Sequence, residues 1–179
     1  LSASDVEEMK QNDDINVLQE AGLNVAYLAY NTQQAPFDKP EVRKALNMAI
    51  NKQAIIDRLL SGYGVPIDTL EAPEYLAYDP SITVAYDPDM AIKLLADSGF
   101  SPDNPVKVTI QTTRGFKPKD YEMIQAIVGM WRKVGIEAEI EVYDGAMHGW
   151  CPPDGRVYNE PQAERAWSRL LVLFENALT

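Results

Sequence analysis

The residues able to do chemistry in this sequence are few, beginning with His148, its single histidine, and Cys151, its single cysteine. An imidazole acts as a general base when a nucleophile lies within about 3 Å and a carboxylate orients its other nitrogen. The nucleophile is what fails here. Cys151 sits in Gly149-Trp150-Cys151-Pro152-Pro153, and Pro153 stands where the strained strand-to-helix elbow of a hydrolase needs its second glycine. Glu137, Glu139 and Glu141 alternate along one predicted strand. That spacing suits a solvated acidic face better than a cation site, whose oxygens must converge from a turning backbone. Gly62-Tyr63-Gly64 is too short for a phosphate cradle and has no following Lys-Ser/Thr, so it reads as a turn. No metal or cofactor is expected, and one cysteine forms neither an internal disulfide nor a thiolate cluster.

The elements that must carry these residues are set by periodicity and punctuation. Ser4-Asp5-Val6-Glu7 predicts a capping box for a short acidic helix ending near Asn12-Asp13-Asp14. Ile15 to Gln19 and Leu23 to Thr32 predict strands, the second apolar on both faces. Pro40 suits the first turn of a helix carrying Val42, Ala45, Leu46, Ala49 and Ile50, with Asn51 capping a second helix through Ile55, Ile56, Leu59 and Leu60. Residues 61 to 86, with three prolines and four tyrosines, predict an irregular surface segment. Asp87-Pro88 begins a helix that Gly99 stops, and Val106 to Thr112 predicts a strand. Pro118 to Val134 is an amphipathic helix closed by Gly135, and Ile136 to Val142 alternates as a strand with one buried face. Residues 144 to 158 read as loop. Asn159-Glu160-Pro161-Gln162 then caps a last helix with Ala163, Ala166, Trp167, Leu170, Leu171, Phe174 and Leu178 on one stripe. Trp131 and Trp167, both on apolar stripes, are expected in the core.

The 179 residues allow one sizeable core, and 46% hydrophobic with 24% charged residues is a globular composition. A formal charge of −11 repels phosphate backbones and anionic lipid head groups, which disfavours nucleic acid and membrane surfaces as partners. No apolar run approaches the roughly 20 residues of a membrane span, and Leu1-Ser2-Ala3-Ser4-Asp5 shows no signal-peptide character.

Gly22-Leu23-Asn24-Val25-Ala26-Tyr27-Leu28-Ala29-Tyr30-Asn31-Thr32, Pro36-Phe37-Asp38 and Val42-Arg43-Lys44-Ala45-Leu46-Asn47-Met48-Ala49-Ile50-Asn51-Lys52 together resemble the second lobe of family 5 extracellular solute-binding proteins. These are the dipeptide, oligopeptide and nickel receptors of ABC importers. Tyr86-Asp87-Pro88 with Ala91 to Gly99, and Met130-Trp131-Arg132-Lys133-Val134-Gly135-Ile136, agree in order and spacing, so the likeness covers about residues 5 to 143. It implies a two-lobed clamshell closing on a short peptide or related solute, with a first lobe supplying the other half of the cleft. It also implies a membrane ABC permease as partner, and a periplasmic or extracellular setting, lipid-anchored or soluble. By that likeness Tyr75, in Ala72-Pro73-Glu74-Tyr75-Leu76, lies in a segment running toward the cleft; packing across a sheet edge is the competing reading.

After Asp144 the sequence changes character. Gly145-Ala146-Met147-His148-Gly149-Trp150, Arg156-Val157-Tyr158-Asn159 and Ala163-Glu164-Arg165-Ala166-Trp167 resemble the C-terminus of a dienelactone hydrolase, which would make His148 the relic of a nucleophile-His-Asp triad. Alternatively, Gly149-Trp150-Cys151 with Tyr158-Asn159-Glu160-Pro161 echoes a cleft segment of oligopeptide receptors, which makes Trp150 a candidate ligand contact.

The resulting expectation is α/β: a mixed sheet flanked by helices, one lobe of a type II periplasmic binding protein, with an added C-terminal helix. Residues 1–144 form the lobe and residues 145–179 a hydrolase-like tail whose helix packs on the same domain, which makes the chain a fragment or chimera. Function is expected to be capture of a peptide or related solute without catalysis. An esterase acting through His148 and a ligandless folded chimera are the alternatives. Apolar surface left by an absent lobe would favour self-association.

Overall fold

The computed structural model describes residues 3–147 and 149–177. The chain runs α1 (Ala3–Lys10), α2 (Pro40–Met48), α3 (Lys52–Leu59), α4 (Pro88–Asp97), β1 (Val106–Gln111), α5 (Asp120–Lys133), β2 (Ile136–Glu141) and α6 (Glu160–Ala177). The described residues thus mix helix and sheet, as expected.

The predicted punctuation builds the helices. Asn51 accepts the Ala54 N–H at 2.9 Å and Asp87 accepts that of Met90 at 2.9 Å, so each begins its helix with a satisfied donor. Gly135, at φ +84°, ends the turn after α5 in the left-handed region where a Cβ would be strained. α5 crosses between β1 and β2, which pair in parallel with Val106 opposite Ile136 and Gln111 opposite Glu141. A two-stranded sheet is marginal alone and needs a packed face. Val106, Val108, Ile110 and Ile136 supply that face and bury it against Ile124, Ile127, Val128 and Trp131 of α5. Trp131 is 1% exposed and its Nε1–H donates to Leu46 O at 2.9 Å, pinning α5 to α2. Lys107, Thr109, Glu137 and Glu139 occupy the outer, exposed face.

Four expectations are corrected. Residues 15–19 and 23–32 form no strand: β1 and β2 are the only strands among the described residues, and an extended segment without a neighbouring ladder has nothing to pair with. Tyr27 is exposed there, while Leu28 and Tyr30 alone pack on the core, and Tyr30 donates its hydroxyl to Asn47 Oδ1 at 3.3 Å. Glu141 leaves the solvated acidic row and is buried at 6% exposure, because cationic partners gather around it. Trp167 is 53% exposed, not core. The α6 stripe is only partly covered: Ala163, Ala166 and Leu170 are half-buried, Trp167, Leu171 and Phe174 are exposed, and among the described residues no α6 side chain belongs to the hydrophobic core. Leu178 of that stripe lies outside the described residues.

Candidate ligand-binding site

Both strands of a parallel pair end at the same edge, and in open α/β sheets the crevice beyond the carboxyl ends is where ligands bind. Here that edge opens onto a depression of about 620 Å³, lined by Gln111 to Phe116 after β1 and by Val142 to Met147 with Trp150 after β2. A second depression, of about 780 Å³, is lined by residues 114–122 and Gln125 and shares Arg114, Gly115 and Phe116 with the first.

The loop after β1 is shaped by one carboxylate. Asp120 is 8% exposed and accepts from the Thr113 hydroxyl at 2.6 Å and from the backbone N–H groups of Gly115, Phe116, Lys117 and Tyr121 at 2.8–3.2 Å. Burial raises its pKa, but the bonds from Thr113, Gly115, Lys117 and Tyr121 outweigh burial and hold the carboxyl well below the usual carboxylate range. Lys119, at φ +59°, makes the tight reversal that aims Asp120 back at the loop. Arg114, inside the loop, is exposed and lays its guanidinium over the Tyr121 ring at 5.1 Å. Phe116, 53% exposed, presents an aromatic face between the two depressions.

The loop after β2 is held by another. Glu141 accepts from Arg169 Nε at 3.1 Å, Tyr143 Oη at 3.2 Å, Arg165 Nη2 at 3.4 Å and, at its other oxygen, Gln111 Nε2 at 3.5 Å. Burial pushes the Glu141 carboxyl up; the Gln111 bond and the charge of Arg169 outweigh it and leave the group below its ordinary value. Arg165 also donates to Val142 O at 2.7 Å and lies over the Tyr143 ring at 4.8 Å, so α6 is fastened to the end of β2 by polar contacts. Tyr143 in turn packs against Trp150, with ring centroids 5.2 Å apart. Asn159 caps α6, accepting the Gln162 N–H at 3.4 Å, and donates to Gly145 O at 3.2 Å, which closes the 144–158 loop.

Of the residues predicted for the site, Trp150 is half-buried and lines the first depression. Tyr75 is 48% exposed in a turn, where its N–H bonds Ala72 O at 3.0 Å, and it lines neither depression. His148 lies outside the described residues. Cys151 is exposed. Sequence reasoning missed Arg114, Tyr143, Asp120 and Glu141. The available signal was position: each lies within a few residues of the carboxyl end of β1 or β2, or at the start of the crossover helix.

The sequence model of the family described as Bacterial extracellular solute-binding proteins, family 5 Middle, matches residues 1–169, a span that runs past the change of character at Asp144. The chain is 36% identical over 143 residues to Di/tripeptide-binding protein 1 of Pseudomonas aeruginosa (strain UCBPP-PA14), covering 79% of this chain and 27% of that protein. It is 35% identical over 147 residues to Heme-binding protein A of Haemophilus influenzae, covering 81% of this chain and 27% of that protein. The solved dipeptide binding protein of Pseudoalteromonas sp. SM9913 in complex with Met-Leu superposes with a TM-score of 0.64 at 30% identity, over 79% of this chain and 28% of that one. The chain therefore spans little more than a quarter of the length of such relatives.

Proposed function

This chain belongs to the bacterial extracellular solute-binding proteins of family 5, and from that premise we propose that it forms part of a receptor that captures a short peptide or related solute, without catalysis, for an ABC importer. The setting proposed is periplasmic or extracellular, with a membrane permease as the receiving partner. The observation that carries the reading is the depression at the carboxyl ends of β1 and β2, whose lining includes the oppositely charged residues Arg114 and Asp144 and the aromatic residues Phe116, Tyr143 and Trp150. A free peptide is a zwitterion. A guanidinium suits its carboxylate through paired charge-assisted bonds, a carboxylate suits its ammonium, and aromatic faces suit its side chains. Relatives named for di- and tripeptides and for heme differ in their solutes; the zwitterion-compatible lining favours the peptide.

Calorimetric titration of the chain with a dipeptide tests this. Affinity is expected to be weak, since one lobe provides part of the enclosing contacts and binding must still offset lost translational freedom. Arg114→Ala is expected to weaken it by about 1.5–3 kcal/mol, roughly ten- to a hundredfold, the worth of hydrogen bonds to a charged group. A wild-type chain that takes up hemin and ignores dipeptides would refute the peptide assignment.

A second reading keeps residues 145–179 as a dienelactone hydrolase-like tail on a lobe of residues 1–144. It rests on the likeness of residues 145–167 read in the sequence, and the family match reaching residue 169 weighs against it. Esterase activity abolished by His148→Ala would establish the catalytic form of that reading. Self-association remains part of the proposal, motivated by exposed Trp167, Leu171, Val172 and Phe174. Sedimentation as a monomer at every soluble concentration would remove it.

A further inference from the structure

Five donors converge on Asp120, more than a helix start requires. Its Oδ1 accepts the N–H groups of Tyr121 at 2.8 Å and Gly115 at 2.9 Å. Its Oδ2 accepts the Thr113 hydroxyl at 2.6 Å and the N–H groups of Phe116 at 3.0 Å and Lys117 at 3.2 Å. An ionised carboxylate offers about four lone-pair sites, so this one is fully committed inside the protein and has none to spare for a ligand. What it holds is the chain on both sides of Arg114: the Thr113 side-chain hydroxyl before that residue and the Gly115 backbone N–H after it donate to the same carboxylate. It also holds the Tyr121 backbone, and the Tyr121 ring is the platform on which the Arg114 guanidinium rests at 5.1 Å.

Arg114, Gly115 and Lys117 are exposed, and the Asp120 carboxylate ties their segment to the start of α5. A long, flexible side chain on a flexible loop loses entropy when it binds, and a loop already fixed avoids that loss. We infer that Asp120 is a positioning residue, whose carboxylate shapes the loop after β1 so that Arg114 is presented to the ligand's carboxylate. The inference rests on the proposed role of Arg114, and its test separates the two.

The experiment uses the full chain and two probes, a dipeptide and the same dipeptide with its C-terminus amidated, which lacks the charge that Arg114 would bind. Amide hydrogen exchange is followed in parallel at Gly115, Phe116 and Lys117. Asp120→Asn keeps the side-chain shape but puts an NH2 where an acceptor was. It is expected to speed exchange at those three amides, to weaken dipeptide binding by about tenfold, and to erase the preference for dipeptide over its amide. Adding Asp120→Asn to Arg114→Ala is expected to change affinity no further, because both act through one guanidinium. Thr113→Val removes a single donor, should give a smaller shift in the same direction, and keeps the question answerable if Asp120→Asn does not fold.

Faster exchange with an undiminished preference for the dipeptide would overturn the inference, as would an equal loss of affinity for both probes, the mark of general loosening. Unchanged exchange would overturn it as well. A wild-type chain that shows no preference between the probes would instead bring down the reading of Arg114, and the inference with it.

Discussion

Asp120 sets an acid limit on this fold that can be worked out by sign. Its carboxyl ionises well below its ordinary value of 3.8 when folded, because the bonds it accepts outweigh the cost of its burial. A group whose pKa is depressed by folding stabilises the protein above the unfolded value, and that contribution is lost as pH falls through the folded one. Urea unfolding between about pH 5 and pH 1 should therefore show a steep loss of stability in the wild type and a shallower one in Asp120→Asn. Parallel curves would show that the carboxylate is not linked to folding. Nothing in the sequence marked this residue, since helix periodicity placed the start of α5 at Pro118 and the bonds depend on a left-handed Lys119 that pattern reading does not see. Trp150, expected as a ligand contact from likeness to a cleft segment, lines the depression. Arg114 was not legible in the sequence, because an arginine in a polar loop acquires meaning only once two strands are known to end beside it.

At the scale of elements, the described contacts that join α6 to the end of β2 are polar, from Arg165 and Arg169. Arg165 and Arg169 are themselves largely exposed, so their pairing with Glu141 is screened and is expected to contribute only about 1 kcal/mol. Replacing both by Ala should release α6 while leaving the core intact. Hydrogen exchange would then quicken across residues 160–177 and stay unchanged across β1; quickening in both would mean that α6 supports the fold. The helices themselves were readable, since Asn51, Asp87 and Asn159 cap their helices through side-chain bonds as their residue types predict. What misled was apolar content read without a partner. The 23–32 segment has strand composition, and α6 has an apolar stripe, but burial requires an opposing surface that composition alone does not provide.

For the molecule as a whole, stability centres on Trp131, where α5, the sheet and α2 meet. Trp131→Ala removes a large ring that is 1% exposed, together with its bond to Leu46 O. The expected cost is about 3–5 kcal/mol, the usual range for emptying an aromatic core site, enough to cancel much of a marginal stability. Thermal melting would check it, and a loss under about 1 kcal/mol would show that the core can collapse around the gap. The three tryptophans of this chain also stand in three different surroundings: Trp131 sealed in the core, Trp150 half-covered beside Tyr143 at the depression, and Trp167 open to water on α6. The three indoles, resolved by keeping Trp131 and replacing Trp150, Trp167 or both by Phe, would therefore emit at different wavelengths and yield to acrylamide at different rates. The bluest would follow global unfolding, the reddest the detachment of the last helix, and the middle one the arrival of a solute.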